Sequence, residues 1–228
     1  MFKSQKVGAI IVAAGRGERM GGIDKIFAPL GGTSVLERVA RVFEDSPYID
    51  YFVIVLNQDN VARGKHLLAG KNLSKLAKVV PGGVRRQDSV ESGLKTLPAC
   101  KWVVIHDGAR PLVGAELITR GLEAAQETGA AVAAVPVIDT VKLVDEGGYV
   151  KETLNRSRLW AVQTPQVFRF DIIKEGYDKA SGDVTDDAAL VEAIGIRVKL
   201  YMGAYDNIKL TTPADLNLVE ALWLRKEG

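Results

Sequence analysis

One cysteine, Cys100, excludes an internal disulfide and any metal cage built on several thiolates. Two histidines leave little for a reaction that depends on imidazole as acid or base. No apolar run approaches the roughly 20 residues that span a bilayer, so no membrane role is expected. A formal net charge of +2 is too small for a global nucleic-acid footprint. Met1-Phe-Lys-Ser-Gln-Lys6 is not followed by a small-residue cleavage site. With the single thiol, that points to a cytoplasmic protein. Two common phosphate-binding strings are missing as well. There is no Gly-x4-Gly-Lys-Ser/Thr. In Gly15-Arg-Gly-Glu-Arg-Met20 a methionine stands where the dinucleotide fingerprint needs its third glycine.

What is present describes an ordinary globular chain: 228 residues, 47% hydrophobic and 25% charged, enough for one large domain. Val7 to Ala13 is an apolar run without polar alternation, which suits a strand buried on both faces of a parallel sheet. Tyr51 to Leu56, Ala77 to Val80, Trp102 to His106 and Ala131 to Val137 read as further strands. Helical periodicity lies between them at Ser34 to Phe43, Gln87 to Leu97 and Glu116 to Glu127. Strands separated by helices of this length imply an α/β fold, a single Rossmann-like domain over 1–228. Its sheet should be mostly parallel, with helices on both faces. The segment 139–158 departs from that pattern. Apolar and polar residues alternate around Asp145-Glu-Gly-Gly148, a hairpin signal. A two-stranded arm is marginal alone, and a second copy of the chain is the economical thing for it to pack on. Helices then follow at Phe170 to Ala180, at Thr185 to Ile194 with Thr185 as N-cap, and after Thr212-Pro213.

Binding sites in open α/β sheets lie beyond the carboxyl ends of the strands, and the polar clusters of this chain follow strands. The first strand empties into Gly15 and Gly17, then Arg16, Arg19 and Lys25. Glycines let backbone N–H groups converge on an anion, and the cations add formal charge, so this turn reads as a nucleoside triphosphate site. Pro81-Gly82-Gly83-Val-Arg85-Arg86-Gln87-Asp88-Ser89 follows the third strand. Alone, it reads as a helix capped by Asp88 or Ser89 with two solvated arginines. His106-Asp107-Gly108-Ala-Arg110-Pro follows the fourth. Asp107 there is expensive unless paired with Arg110 or bound to a cation such as Mg2+. His106 reads as a hydrogen-bonded structural residue. Lys209 precedes the final helix, three residues after Asp206, and Thr140 and Arg156 fall on opposite limbs of the hairpin base.

Taken together, these strings resemble the 2-C-methyl-D-erythritol 4-phosphate cytidylyltransferase family. They are Ala13-Ala14-Gly15-Arg-Gly17-Glu-Arg19-Met with Lys25, the Gly82 to Val90 stretch, His106 to Pro111, Asp139-Thr140, Thr164-Pro-Gln166 and Asp206 to Pro213. The resemblance runs over almost the full chain. It departs at Asp24-Lys25-Ile26-Phe27, where the family usually has Pro-Lys-Gln and an aromatic, at Val84, often polar, and at Gly108, often alanine. The resemblance implies CTP and a sugar-alcohol phosphate as substrates, Mg2+ or another divalent cation as cofactor, and a homodimer whose arms embrace. By matched motif, Arg19, Lys25 and Lys209 would be catalytic. Ala13, Ala14, Gly15, Gly17, Gly82, Gly83, Ser89 and Gly108 would hold the nucleotide. Asp107, Arg110, Thr140 and Arg156 would hold the acceptor, the last two from the partner chain, and Asp107 and Asp206 would face the metal. The neighbouring expectations are a CDP-ribitol synthase and a nucleotide-binding protein without turnover.

Overall fold

The structure is a computed structural model that describes residues 1–15, 24–180 and 182–227. Its centre is a seven-stranded sheet. In chain order the strands are β1 (Val7–Ala13), β4 (Tyr51–Leu56), β5 (Leu76–Pro81), β6 (Trp102–Asp107), β7 (Ala130–Pro136), β10 (Trp160–Arg169) and β11 (Lys199–Met202). Across the sheet the order is β11-β7-β10-β6-β1-β4-β5. β1 pairs in parallel with β4 and β6, β4 with β5, and β11 with β7. β10 runs antiparallel between β6 and β7. Every residue of β1 is buried. Ala9, Ile11 and Ala13 enter one core, Ile10, Val12 and Ala14 the other. A strand with two dry faces has no reason to alternate polarity, which is why the run reads as uninterrupted hydrophobics.

One core is roofed by α1 (Val35–Asp45), α4 (Ala115–Ala125) and α7 (Pro213–Glu227). The other is covered by α3 (Arg86–Thr96), α5 (Phe170–Asp178) and α6 (Asp187–Ala193). Ser34 caps α1 by accepting the Glu37 N–H. Pro213 opens α7, as the sequence predicts. The cap of α6 is Asp186, not the expected Thr185. Its carboxylate takes the Ala189 N–H and is the stronger acceptor.

Two elements, β10 and the helix α2 (Val61–Leu68), escape the sequence reading, and the strand expected before Lys209 comes without bounds. β10 is interrupted by Thr164-Pro165 and by a register shift between Val162 and Gln166, which breaks any simple period. β11, four residues long, is too short for periodicity to define. The helix α2 carries a glycine mid-way. A Cβ on that Gly64 would sit 2.2 Å from Leu56 Cδ1, so packing selects the weak helix former. Beside the sheet, β2 (Pro29–Leu30) pairs with β3 (Thr33–Ser34). The hairpin appears as β8 (Lys142–Val144) and β9 (Val150–Thr153), with every residue of both strands exposed.

Candidate active site at the carboxyl edge of the sheet

β1, β5 and β6 end on the same edge, and their following loops meet there. Gly82 donates to Leu56 O and Gly108 to Val12 O, which tie two of these loops to neighbouring strand ends. Gly82 lies so close to Ser89 and Ala14 that a Cβ would come within 2.5 Å of Ser89 Oγ. Ser89 Oγ accepts the Gly83 N–H and donates to Arg85 O, so it braces the loop while helping to line a cleft. At the start of α3, Asp88 accepts the Arg85 N–H. Of the two caps the sequence suggests, it is Asp88 that serves.

Asp107 stands at the centre. It is 7% exposed and faces three cations: Lys209 Nζ at 2.8 Å, Arg86 Nε at 3.1 Å and Arg110 Nε at 3.7 Å. Burial drives its carboxyl toward the neutral acid. Arg86, Lys209 and Arg110 reverse that and hold it below the ordinary carboxylate range. The pairing with Arg110 expected from sequence is present, together with two partners it does not suggest. Arg86 is the larger surprise. Arg85 is exposed and pairs with Asp88 and Asp183, but Arg86 reaches inward to both Asp107 and Asp187. Burial works against its charge and the two carboxylates more than offset that.

His106 is fully buried, as the structural reading requires. Its Nδ1 meets Thr164 Oγ1 at 3.0 Å and its Nε2 meets Arg110 O at 3.2 Å. Burial lowers its pKa to about 4, so it is neutral at physiological pH. Thr164 Oγ1 also takes the Asp107 N–H at 3.0 Å, and Asn207 clamps Thr164 O while its own carbonyl receives Arg110. The backbone of Asp107 is thereby fixed from behind.

Two clefts open on this centre. One is lined by Ala13, Ala14, Gly15, Lys25, Gly83, Ser89, Asp107 and Lys209, with Arg86 in its wall. The other is lined by Asp107, Arg110, Gln163, Thr164, Thr185 and Lys209, again with Arg86. Asp107, Arg86 and Lys209 belong to both. Lys25 Nζ donates to Leu210 O at 3.0 Å, one residue beyond Lys209, so the two lysines share one cleft although they lie far apart in the chain. Arg16, Gly17 and Arg19 lie outside the described residues. Asp206 is half-buried just before Lys209 and lines neither cleft. Thr140 and Arg156 are exposed at the base of the arm, where Arg156 donates to Ile138 O, away from the clefts of their own chain.

The chain matches the family model of 2-C-methyl-D-erythritol 4-phosphate cytidylyltransferase over residues 7–225. It belongs to that family. Among curated members, the protein of that name from Dehalococcoides mccartyi strain 195 is 52% identical over 222 residues, covering 97% of this chain and 98% of its own. The one from Halalkalibacterium halodurans is 46% identical, with 96% and 97% covered. The crystal structure of 4-diphosphocytidyl-2C-methyl-D-erythritol synthase from Anaerococcus prevotii superposes with a TM-score of 0.85 at 33% identity, over 96% of this chain and 99% of that one. The chain is thus a nucleotidyltransferase of the cytidylyltransferase type. Among the described residues, no helix is long and apolar enough to cross a membrane.

Proposed function

We propose that this chain transfers the cytidylyl group of CTP to 2-C-methyl-D-erythritol 4-phosphate, releasing pyrophosphate. The observation that carries the reading is the pair of clefts sharing Asp107, Arg86 and Lys209, one floored by backbone and small side chains, the other polar. The first suits a nucleotide, with Ala13, Ala14, Gly82, Gly83 and Ser89 around base and ribose, Gly15 and Gly108 near the phosphates, and Lys25 on the triphosphate; the family resemblance would add Gly17 and Arg19, which lie outside the described residues. The second suits the acceptor, held by Asp107 and Arg110.

A phosphate monoester has its second pKa near 6, so the acceptor is largely ionised at neutral pH and needs no general base. One of its oxygens attacks the α-phosphorus in line. The new O–P bond forms as the bond from the α-phosphorus to the bridging oxygen breaks, and that oxygen leaves with pyrophosphate. The obstacle is repulsion between two anions. The protein's contribution is therefore alignment and fixed positive charge, from Arg19, Lys25 and Lys209. Among the described residues there is no group of three or more His, Cys, Asp or Glu side chains placed to hold a metal. A single carboxylate beside a phosphate cleft is nonetheless the donor set Mg2+ uses, since it keeps waters and binds substrate phosphates. Asp107 would hold it, and bound there it would neutralise charge on the triphosphate.

The arm supports a homodimer reading. Tyr149 is 78% exposed, and Leu143, Val144 and Val150 lie open beside it. An outward apolar ribbon of this kind marks an interface, and a second copy would bring its Thr140 and Arg156 to the acceptor phosphate. The test of the reaction is pyrophosphate release from CTP with each of two acceptors. Methylerythritol phosphate is expected to support turnover and ribitol 5-phosphate to do so poorly; the reverse preference would make the chain a CDP-ribitol synthase. Release with neither would leave a nucleotide-binding protein, a reading that the two lysines in one cleft argue against.

A further inference from the structure

Arg86 is one of three side chains that line both clefts, and it is held from the far side by a residue that lines neither. Arg86, in the first turn of α3, spans two carboxylates: Nε to Asp107 Oδ1 at 3.1 Å and NH1 to Asp187 Oδ2 at 2.8 Å. Asp187 is wholly buried in the first turn of α6, and its Oδ1 accepts from the Tyr177 hydroxyl at 2.6 Å. Burial raises its carboxyl, against the pull of Arg86 and Tyr177. Capping does not require it, because Asp186 already supplies the cap. Stability does not require it either, since a buried ion pair is often matched or bettered by apolar residues of similar volume. A third reason lies in what Arg86 would do without it. A guanidinium facing one carboxylate tends to close a two-pronged fork on both oxygens. Here one prong is diverted to Asp187, so Arg86 meets only Oδ1 of Asp107 and leaves Oδ2 to Lys209, with Arg110 farther off.

We propose that Asp187 is a positioning residue for the transfer reaction. Through Arg86 it sets the orientation of the Asp107 carboxylate and keeps Oδ2 on Lys209, the cation offered to the reacting phosphates. The proposal rests on the transferase reading above. It extends the machinery outward along Tyr177, Asp187, Arg86 and Asp107, and assigns a task to two residues that touch no substrate.

The test is steady-state kinetics of Asp187→Asn, Arg86→Lys and the double variant, with turnover expressed per CTP bound so that misfolded protein does not count. Asparagine keeps the size and still accepts from Tyr177, and lysine reaches one carboxylate at a time. Each single variant is expected to lower kcat about tenfold, the scale of a small misplacement of reacting groups, with the KM for CTP within about twofold. The double should be no worse than either single, because both break one link. A kcat within twofold of wild type in Asp187→Asn, or single losses that multiply to about a hundredfold in the double, overturns the proposal. If Asp187→Asn does not fold, Tyr177→Phe takes its place. A kcat about threefold lower at unchanged CTP KM supports the chain of contacts, and an unchanged kcat overturns it. Wild-type protein that releases no pyrophosphate under the same conditions overturns the transferase reading, and this inference with it. Wild-type turnover beside an unimpaired Asp187→Asn overturns this inference alone.

Discussion

Around Asp107, charged groups are drawn onto a buried carboxylate and paired within one chain, whereas along the arm, apolar groups are left facing outward. The carboxyl edge gathers Arg86, Arg110 and Lys209 on one buried carboxylate and braces it with Thr164, His106 and Asn207. β8 and β9 expose every residue. An edge of the first kind should be sensitive in stability and chemistry together, because its groups serve both. An arm of the second kind should be sensitive in function alone, because nothing in its own chain depends on it.

Four substitutions press on that difference. Asp107→Ala leaves the largely buried Arg110 without its counter-charge and Arg86 with Asp187 alone, and should cost about 3 kcal/mol of unfolding free energy. Urea denaturation measures it, and a loss below about 1 kcal/mol would mean that the three contacts contribute little. His106 adds a pH-dependent component. Its folded pKa of about 4 lies below the ordinary 6.5, so between those values the unfolded chain binds the extra proton. Stability is therefore full above about pH 6.5 and falls as pH drops toward 4, by about 3 kcal/mol in total. Denaturation in EDTA should show this slope in wild type and its absence in His106→Gln. Equal slopes would place the imidazole in water. Arg156→Ala, on the arm, should leave stability within about 0.5 kcal/mol. It should raise the KM of the acceptor about tenfold, the worth of a charge-assisted hydrogen bond, with CTP little affected. Mixing Lys25→Ala with Arg156→Ala protein is the gentlest probe. If each site takes its edge from one chain and its arm from the other, random pairing restores about a quarter of wild-type activity. Activity no greater than the parents' average would confine the site to one chain.

How much of this the sequence discloses follows from how local each feature is. The buried strand β1, the Gly82-Gly83 turn, the proline that opens α7 and the hairpin are short-range patterns, and all are legible. The same holds for the residues that motif spacing brings to the edge: Lys25, Ser89, Asp107, Arg110 and Lys209 do line the clefts. Arg86 and Asp187 are not legible as a pair. Beside Arg85, Arg86 looks like one more solvated cation, and Asp187 looks like an acid placed for the helix dipole. Only the packing of α3 against the sheet and of α6 beside α5 brings them to 2.8 Å. α2 stays hidden for a related reason. Gly64 answers to Leu56 on a neighbouring strand, and that tertiary demand outweighs helix propensity.

On the proposed reading, distant basic side chains converge to stabilise charge as it develops at the α-phosphorus, more than to bind CTP. Lys25→Ala measures this directly, by comparing its rate of pyrophosphate release with its affinity for CTP. The expected result is a kcat lower by on the order of 10²–10³ with CTP affinity within about threefold of wild type. Unchanged turnover, or a loss of affinity as large as the loss of rate, would contradict the claim.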